Sequence, residues 1–307
     1  MARGDLILTL LASRLTADIQ GQVEALAVQF GLQVKSTQRL ADVTQHGSID
    51  CIEHRLMGDK VDMQALRKAA LVLSEALQVD VVIQEDTRDH VQPRLVCFDM
   101  DSTLIKAEVI DELARRHGVG EEVAEVTERA MRGELDFKAS FRERMSKLAG
   151  LDESVLAEIA EELPLMEGVE RLMVNLKRLG YRTAILSGGF TYFARYLQDR
   201  LGFDEIHANE LVIENGRVTG EVCEPIVDAE RKAELLETIA LREGFTLAQT
   251  IAVGDGANDL KMLAKAGMGI AFRAKPLVRA QARQAISTQG LDGVLYLMGY
   301  RHIDLEG

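Results

Sequence analysis

Two aspartates two residues apart, Asp99 and Asp101, follow a short apolar run, Leu95–Phe98, and lead into Ser102-Thr103. At the end of an extended segment alternate side chains share a face, so both carboxylates are expected to look into one pocket. Facing carboxylates repel, and a cation between them relieves the repulsion. A second apolar run, Thr183–Leu186, breaks into Ser187-Gly188-Gly189, and a third, Thr250–Val253, breaks into Gly254-Asp255-Gly256-Ala257-Asn258-Asp259. Asp255 adds a further hard oxygen. With no His or Cys nearby, an all-oxygen donor set suits Mg2+ better than zinc or copper. Magnesium held this way usually serves phosphate chemistry, where charge on the transferring oxygens must be neutralised. The glycines after Ser187 let backbone amides approach an anion ahead of a helix expected from Thr191. Lys232, early in the helical run Asp228–Leu241, can add a positive charge.

These residues need a scaffold that brings them together. Near-continuous apolar runs read as strands buried on both faces, as in an α/β, Rossmann-like, doubly wound parallel sheet. In such sheets the ligand sits beyond the carboxyl ends of the strands, so the three tips would converge there. Between Thr103 and Pro164 lie four helical patterns, Glu108–His117, Glu121–Arg132, Phe137–Leu148 and Asp152–Leu163. An insertion directly after the first tip is expected to form a helical cap that closes over the site and excludes bulk water. The stretch Glu210–Glu221, with Asn215-Gly216 at its centre, predicts a structural hairpin.

The first 85 residues have a different rhythm. Leu6–Leu11 reads as a strand, and Thr16 caps a helix with Ile19, Val23, Leu26, Ala27 and Phe30 at helical spacing. Gln33–Ala41 and Ile49–Leu56 are strand candidates separated by a polar stretch with His46 and Gly47. Asp62 caps a helix through Leu77, and Val79–Ile83 closes the unit. The order βαββαβ is that of a ferredoxin-like domain. The expected organisation is therefore residues 1–85 as one domain, 86–93 as a linker ending at Pro93, and 94–307 as a second domain with its cap over 108–164.

Composition narrows the class. The 307 residues carry 36 Lys and Arg against 49 Asp and Glu, net −13, with −4 over the first 90 residues and −9 over the rest. An evenly acidic chain without a basic stripe argues against nucleic acid as a partner. The absence of Trp leaves few stacking platforms for single strands. Cys51, Cys97 and Cys223 are odd in number and far apart, so neither a disulfide framework nor a zinc site is expected. Cys97, under the first tip, reads as a small core residue. The apolar run at Leu6–Ala12 is flanked by Asp5 and Arg14 and reads as a strand, not a leader, and no stretch is long enough to span a membrane. A cytoplasmic location is expected.

The motifs also carry a resemblance. Asp99-Met100-Asp101-Ser102-Thr103 resembles the DxDxT motif of the haloacid dehalogenase (HAD) superfamily, and Ser187, Lys232 and Gly254–Asp259 match its second, third and fourth motifs in order. Within it, FDMDSTLIKAE (Phe98 to Glu108), the segment Asp136–Arg144 and Ser187-Gly188-Gly189-Phe190 are similar to the phosphoserine phosphatase family. The likeness runs from about Leu95 to Thr288. It implies a Mg2+-dependent hydrolysis of O-phosphoserine through an aspartyl-phosphate, the last step of serine biosynthesis. Asp99 would be the nucleophile and Asp101 the general acid and base. The metal would be held by Asp99, the Asp101 carbonyl and Asp255, with Asp259 behind it. Ser187, Gly188 and Lys232 would hold the phosphoryl oxygens, with Asn258 on the same side. Arg144 would take the substrate carboxylate, Glu108 its ammonium, and Met131 and Phe137 its apolar part. Thr103 would orient the catalytic pair or cap a helix. The N-terminal domain looks like an ACT module without the usual glycine in its first turn, Ala12-Ser13-Arg14-Leu15, which favours packing or homodimerisation over effector binding. A phosphotransferase passing the group to an alcohol such as homoserine, and an amino-acid sensor with a vestigial catalytic half, are the alternatives.

Overall fold

The computed structural model describes residues 5–46, 49–58 and 61–307, with nothing described of the His46 side chain. The N-terminal unit runs β1 (Leu6–Ala12), α1 (Ala17–Gln29), β2 (Gln33–Ala41), a single turn α2 (Val43–His46), β3 (Asp50–Met57), α3 (Met63–Leu77) and β4 (Asp80–Glu85). Its sheet is antiparallel in the order β2-β3-β1-β4, a ferredoxin-like arrangement. The two caps are as expected: the Thr16 hydroxyl accepts from the Ile19 amide, and the Asp62 carboxylate accepts from Gln64 and Ala65. α2 adds a turn within the polar stretch, whose Gly47 lies outside the described residues. β1 is buried throughout. Leu6, Leu8 and Leu10 pack with α1 and α3, while Leu11 faces the core of the second unit.

That second unit follows as β5 (Leu95–Phe98), α4 (Val109–His117), α5 (Gly120–Met131), α6 (Phe137–Lys147), α7 (Ser154–Glu162), α8 (Val169–Arg178) and β6 (Arg182–Phe190). It continues through α9 (Thr191–Leu201), β7 (Glu205–Asn209), β8 (Ile213–Glu214), β9 (Arg217–Val218), α10 (Ala229–Arg242), β10 (Thr250–Gly254) and α11 (Leu260–Lys265). It ends with β11 (Met268–Phe272), α12 (Pro276–Gln281), β12 (Gln284–Ile286) and α13 (Gly293–Leu297). The six-stranded sheet is parallel, in the order β12-β11-β10-β5-β6-β7. β5 lies between β10 and β6, with Phe98 level with Val253 on one side and Ile185 on the other. The three apolar runs are thus neighbouring strands, and their carboxyl ends emerge side by side. Cys97 is buried in β5, where desolvation pushes its thiol far above the ordinary range.

One strand end differs from expectation. β6 does not stop at Leu186 but resumes at Phe190, with a register break between the two. Asn209 on β7 explains the continuation, because its side-chain amide donates to the Gly188 carbonyl at 2.9 Å and its Oδ1 accepts from the Val227 amide. Ser187–Gly189 is therefore a braced bulge. The insertion after β5 forms four helices, α4 to α7, with α5 packed against both α4 and α6. The β8–β9 hairpin turns at Asn215 and Gly216, both at positive φ, and bonds to the loop after α6 through Val218 and Leu151. It is structural.

The two sheets meet at β4 and β12. The Asp80 carboxylate accepts from the amides of Ser287, Thr288 and Gln289, and Gln84 donates to the Leu297 carbonyl. Among the described residues no helix is long and apolar enough to cross a membrane.

Candidate active site

Asp99 continues the β5 ladder by one bond, its amide donating to the Val253 carbonyl at 2.9 Å. Its carboxylate meets Lys232, which arrives from α10. Asp228 caps that helix by accepting from the Arg231 amide, which places Lys232 one turn in and pointing at the strand ends. Lys232 is fully buried, with Nζ 2.7 Å from Asp99 Oδ1 and 2.7 Å from Asp259 Oδ1. The other Asp259 oxygen accepts from the Asp255 and Gly256 amides at 3.1 and 3.0 Å. Only glycine fits at position 254, since a Cβ there would lie 2.5 Å from the Asp259 carboxyl carbon. Asp255 accepts from the Thr103 hydroxyl at 3.1 Å. Thr103 therefore steadies Asp255, and it caps no helix, because α4 begins only at Val109.

One oxygen from each of Asp99, Asp255 and Asp259 falls within 4.8 Å of the others. Three carboxylates around a single ammonium leave negative charge in excess. Burial raises the Asp99 pKa well above the usual carboxylate range, Asp259 and Asp255 raise it further, and Lys232 opposes them. Asp255 is pushed up to about 6, mainly by burial and then by Asp259 and Glu108. Burial works against the Lys232 charge, but Asp259 and Asp99 outweigh it and hold its pKa above the ordinary value. An all-oxygen, electron-rich cluster short of positive charge fits a hard divalent cation.

Asp101 sits two residues on, its carboxylate near Gly189, where a Cβ would come within 3.0 Å of Oδ2. Its Oδ1 is buried without a hydrogen-bond partner. Burial, then Glu108 and Asp99, push its pKa well upward, with Lys232 opposing. Ser102, at φ 58°, turns the chain away immediately afterwards, and its hydroxyl donates to Glu108 at 2.7 Å.

A cavity of about 440 Å3 opens over these groups. From the strand ends it is lined by Asp99, Asp101, Ser187, Gly188, Asp255 and Asn258. From the inserted helices it is lined by Glu108, Met131, Phe137 and Arg144. Lys232 and Asp259 stand behind this lining. Ser187 is buried, its Oγ accepting from the Gly189 amide at 2.9 Å. Arg144 is mostly buried, which lowers its pKa, while Asp111 and Glu108 pull it back up. Glu108 is raised by burial, with the Ser102 hydrogen bond, Lys275 and Arg144 opposing. Phe137 stacks on Phe141 with centroids 6.3 Å apart, whereas Met131 is 72 % exposed and forms a rim.

Three neighbours of this site escape a reading of the sequence. Asp111 lies one turn beyond Glu108 on α4, a spacing that puts both on one face and could have flagged it. Lys275 lines the cavity from the loop before α12, and Ser140 lines it from α6. Neither carries a local signal.

Comparison with known proteins identifies the family. Residues 93–267 match the family model for haloacid dehalogenase-like hydrolases. A phosphoserine phosphatase of Streptomyces coelicolor is 43 % identical over 99 % of this chain and 72 % of its own length. A HAD-family hydrolase of Salmonella enterica serovar Typhi superposes with a TM-score of 0.86 at 30 % identity, over 96 % of this chain and 98 % of that one. A phosphoserine phosphatase solved as an analogue of its phospho-aspartyl intermediate superposes with a TM-score of 0.63 at 41 % identity, over 67 % of this chain and 99 % of that one. With sequence and fold in agreement, the chain belongs to the haloacid dehalogenase-like hydrolases and, among them, to the phosphoserine phosphatase family.

Proposed function

We propose that this chain hydrolyses O-phosphoserine to serine and phosphate, the last step of L-serine biosynthesis, through an aspartyl-phosphate on Asp99. The observation that carries this reading is a single cavity lined by Asp99 and Ser187 at one end and by Glu108 and Arg144 at the other. A phosphorylated amino acid has three charged handles, and each meets an opposite partner. Arg144 takes the carboxylate, for which a guanidinium fork is well shaped. Glu108 takes the ammonium, and Met131 and Phe137 flank the apolar carbons.

Asp99 attacks phosphorus, and the bond from phosphorus to the seryl oxygen breaks. Asp101 gives that oxygen its proton, a role its raised pKa supports. Serine leaves, and water attacks the aspartyl-phosphate while Asp101 takes the water's proton, releasing phosphate and restoring Asp99. Ser187, the Gly188 amide, Lys232 and Asn258 hold the phosphoryl oxygens as their charge shifts. Asp99, the Asp101 carbonyl and Asp255 would hold Mg2+. Asp259 stays behind them, because Lys232 and two backbone amides already use its oxygens. When bound, the ion supplies neutralisation of charge on the phosphoryl group.

Phosphate release measured across phosphoserine, phosphothreonine and sugar phosphates, with and without Mg2+, tests the reading. Phosphoserine is expected to exceed the sugar phosphates by about 10²-fold or more in kcat/KM, because each lost charged contact costs about 1.5–3 kcal/mol. No release from phosphoserine in Mg2+ would overturn it. Added homoserine should yield no phosphohomoserine.

Arg144→Ala is expected to lower kcat/KM for phosphoserine by about 10²-fold while changing that for an aryl phosphate by less than about threefold. Equal losses on both would assign Arg144 to the fold or to the chemistry.

Cation binding should depend on pH with a known sign. The Asp255 carboxyl, raised to about 6, must lose its proton to ligate, so affinity weakens as pH falls through 6. Without a cation the same raised pKa makes the protein most stable below the unfolded value and costs it stability as pH rises through about 6. Thermal unfolding with and without MgCl2 should therefore show a rise in Tm at about pH 7.5 that shrinks by half or more at about pH 5. An equal rise at both would remove Asp255 from the ligand set.

We further place the enzyme in the cytoplasm, with residues 1–85 serving homodimer formation. Light scattering on the full chain giving the mass of a monomer at working concentration would refute the latter.

A further inference from the structure

A second cavity, of about 750 Å3 and sharing no lining residue with the active-site cavity, lies where the two sheets meet. It is lined on one side by α3 and β4 and on the other by α12 and β12. A volume in this range suits a small organic ligand. Four cationic side chains line it, Arg67 and Lys68 from α3, Arg279 from α12 and Arg283 beyond it. In a chain of net charge −13 that concentration of positive charge runs against the overall balance.

Protein carboxylates neutralise it only in part. Glu75 pairs with Arg279 at 2.8 Å, bridging the two units. Among the described residues no ion pair or hydrogen bond engages the side chains of Arg67, Lys68 or Arg283. Arg67 is half-buried, and burial followed by the charge of Arg283 pulls its pKa down, with Glu85 giving partial relief. The Nε atoms of Arg67 and Arg279 are buried without partners. Gln284, 6 % exposed, lines the same cavity with its Oε1 buried and unpartnered. Guanidinium groups placed near each other in a partly desolvated cleft repel unless an anion lies between them. An acceptor left unpaired beside them asks for a hydrogen-bond donor.

We propose that this cleft is a binding site for a small organic polyanion, bearing two or more phosphate or carboxylate groups for the arginines and a hydroxyl or amine for Gln284. Phosphates and carboxylates both match the guanidinium fork, and the probes below separate them. This proposal is independent of the reading of the active site, which the cleft residues do not touch.

Calorimetric titration of the metal-free full chain with citrate, and separately with fructose 1,6-bisphosphate, tests it. The expected result is saturable binding of at least one probe by the wild type. Binding should be about 100-fold weaker in R67Q/R283Q, about tenfold per guanidinium removed. Ser187→Ala, altered only in the active site, should retain it. R67Q/R283Q should keep its phosphatase activity in chloride buffer within about twofold, which shows that it is folded. Hydrogen exchange on the wild type needs no variant, and the bound probe should slow it over residues 63–74 and 279–287. The proposal is overturned if neither probe binds the wild type, if the double variant binds as tightly as the wild type, or if protection appears only around residues 99–108 and 187–190.

Discussion

Asp99→Asn is expected to lower kcat by at least about 10⁴-fold while leaving the protein folded, because an amide oxygen cannot serve as the nucleophile of a covalent pathway. Asp99 is buried at the end of β5, held by Lys232 at 2.7 Å, and its pKa is raised by burial and by neighbouring carboxylates. An isosteric amide relieves that repulsion, so the Tm of the variant should equal or exceed that of the wild type. Rapid-quench experiments with phosphate-labelled substrate should trap a phosphorylated protein in the wild type and none in the variant. A variant that keeps more than about a tenth of wild-type turnover would remove Asp99 from the covalent step.

Lys232→Met should be nearly as damaging, for two separable reasons. The side chain is fully buried between Asp99 and Asp259, so its loss leaves two buried carboxylates facing each other without a counter-charge. Breaking a buried pair in this way costs about 3–5 kcal/mol, and the methionine limits the additional cost of a cavity. Removing a charge aimed at the phosphoryl oxygens should also lower kcat by about 10³-fold. The pH dependence separates the two effects. In the wild type the Lys232 pKa is raised, so its stabilisation is fully present at neutral pH and is lost only as pH rises beyond the unfolded lysine value. In the variant Asp99, raised by burial and by Asp259 and no longer opposed by Lys232, must either ionise unpaired or take up a proton. Denaturant unfolding should therefore show a larger destabilisation at about pH 8 than at about pH 5. A loss under about 1 kcal/mol at pH 8 would mean that the buried pair is not a stabilising contact.

The site is assembled from segments far apart in the chain, and the sequence makes most of them visible for a local reason. A strand that ends in Asp99-Met100-Asp101 announces paired carboxylates, and Ser187-Gly188-Gly189 and Gly254–Asp259 announce tips that approach an anion or a cation. Capping residues are equally local, so Thr16, Asp62 and Asp228 mark the starts of α1, α3 and α10. Lys275 and Ser140 have no such signature. Lys275 is an ordinary exposed lysine until β11 delivers its loop to the mouth of the cavity. β12, only three residues long, is too short for periodicity to register, and the continuation of β6 past Leu186 depends on a side chain from the next strand.

Residue order alone thus determined the chemical inventory: the carboxylates, the buried-strand runs that carry them, the helical insertion and the ferredoxin-like unit before it. It determined these because propensity, capping and hydrophobic period are written within a few residues. Tertiary structure alone decided that Lys232 is shared by Asp99 and Asp259, that Thr103 serves Asp255, and that Arg67 and Arg283 face one cleft between the two sheets. Such pairings arise when strands from distant parts of the chain become neighbours, and burial then turns ordinary charges into strongly interacting ones.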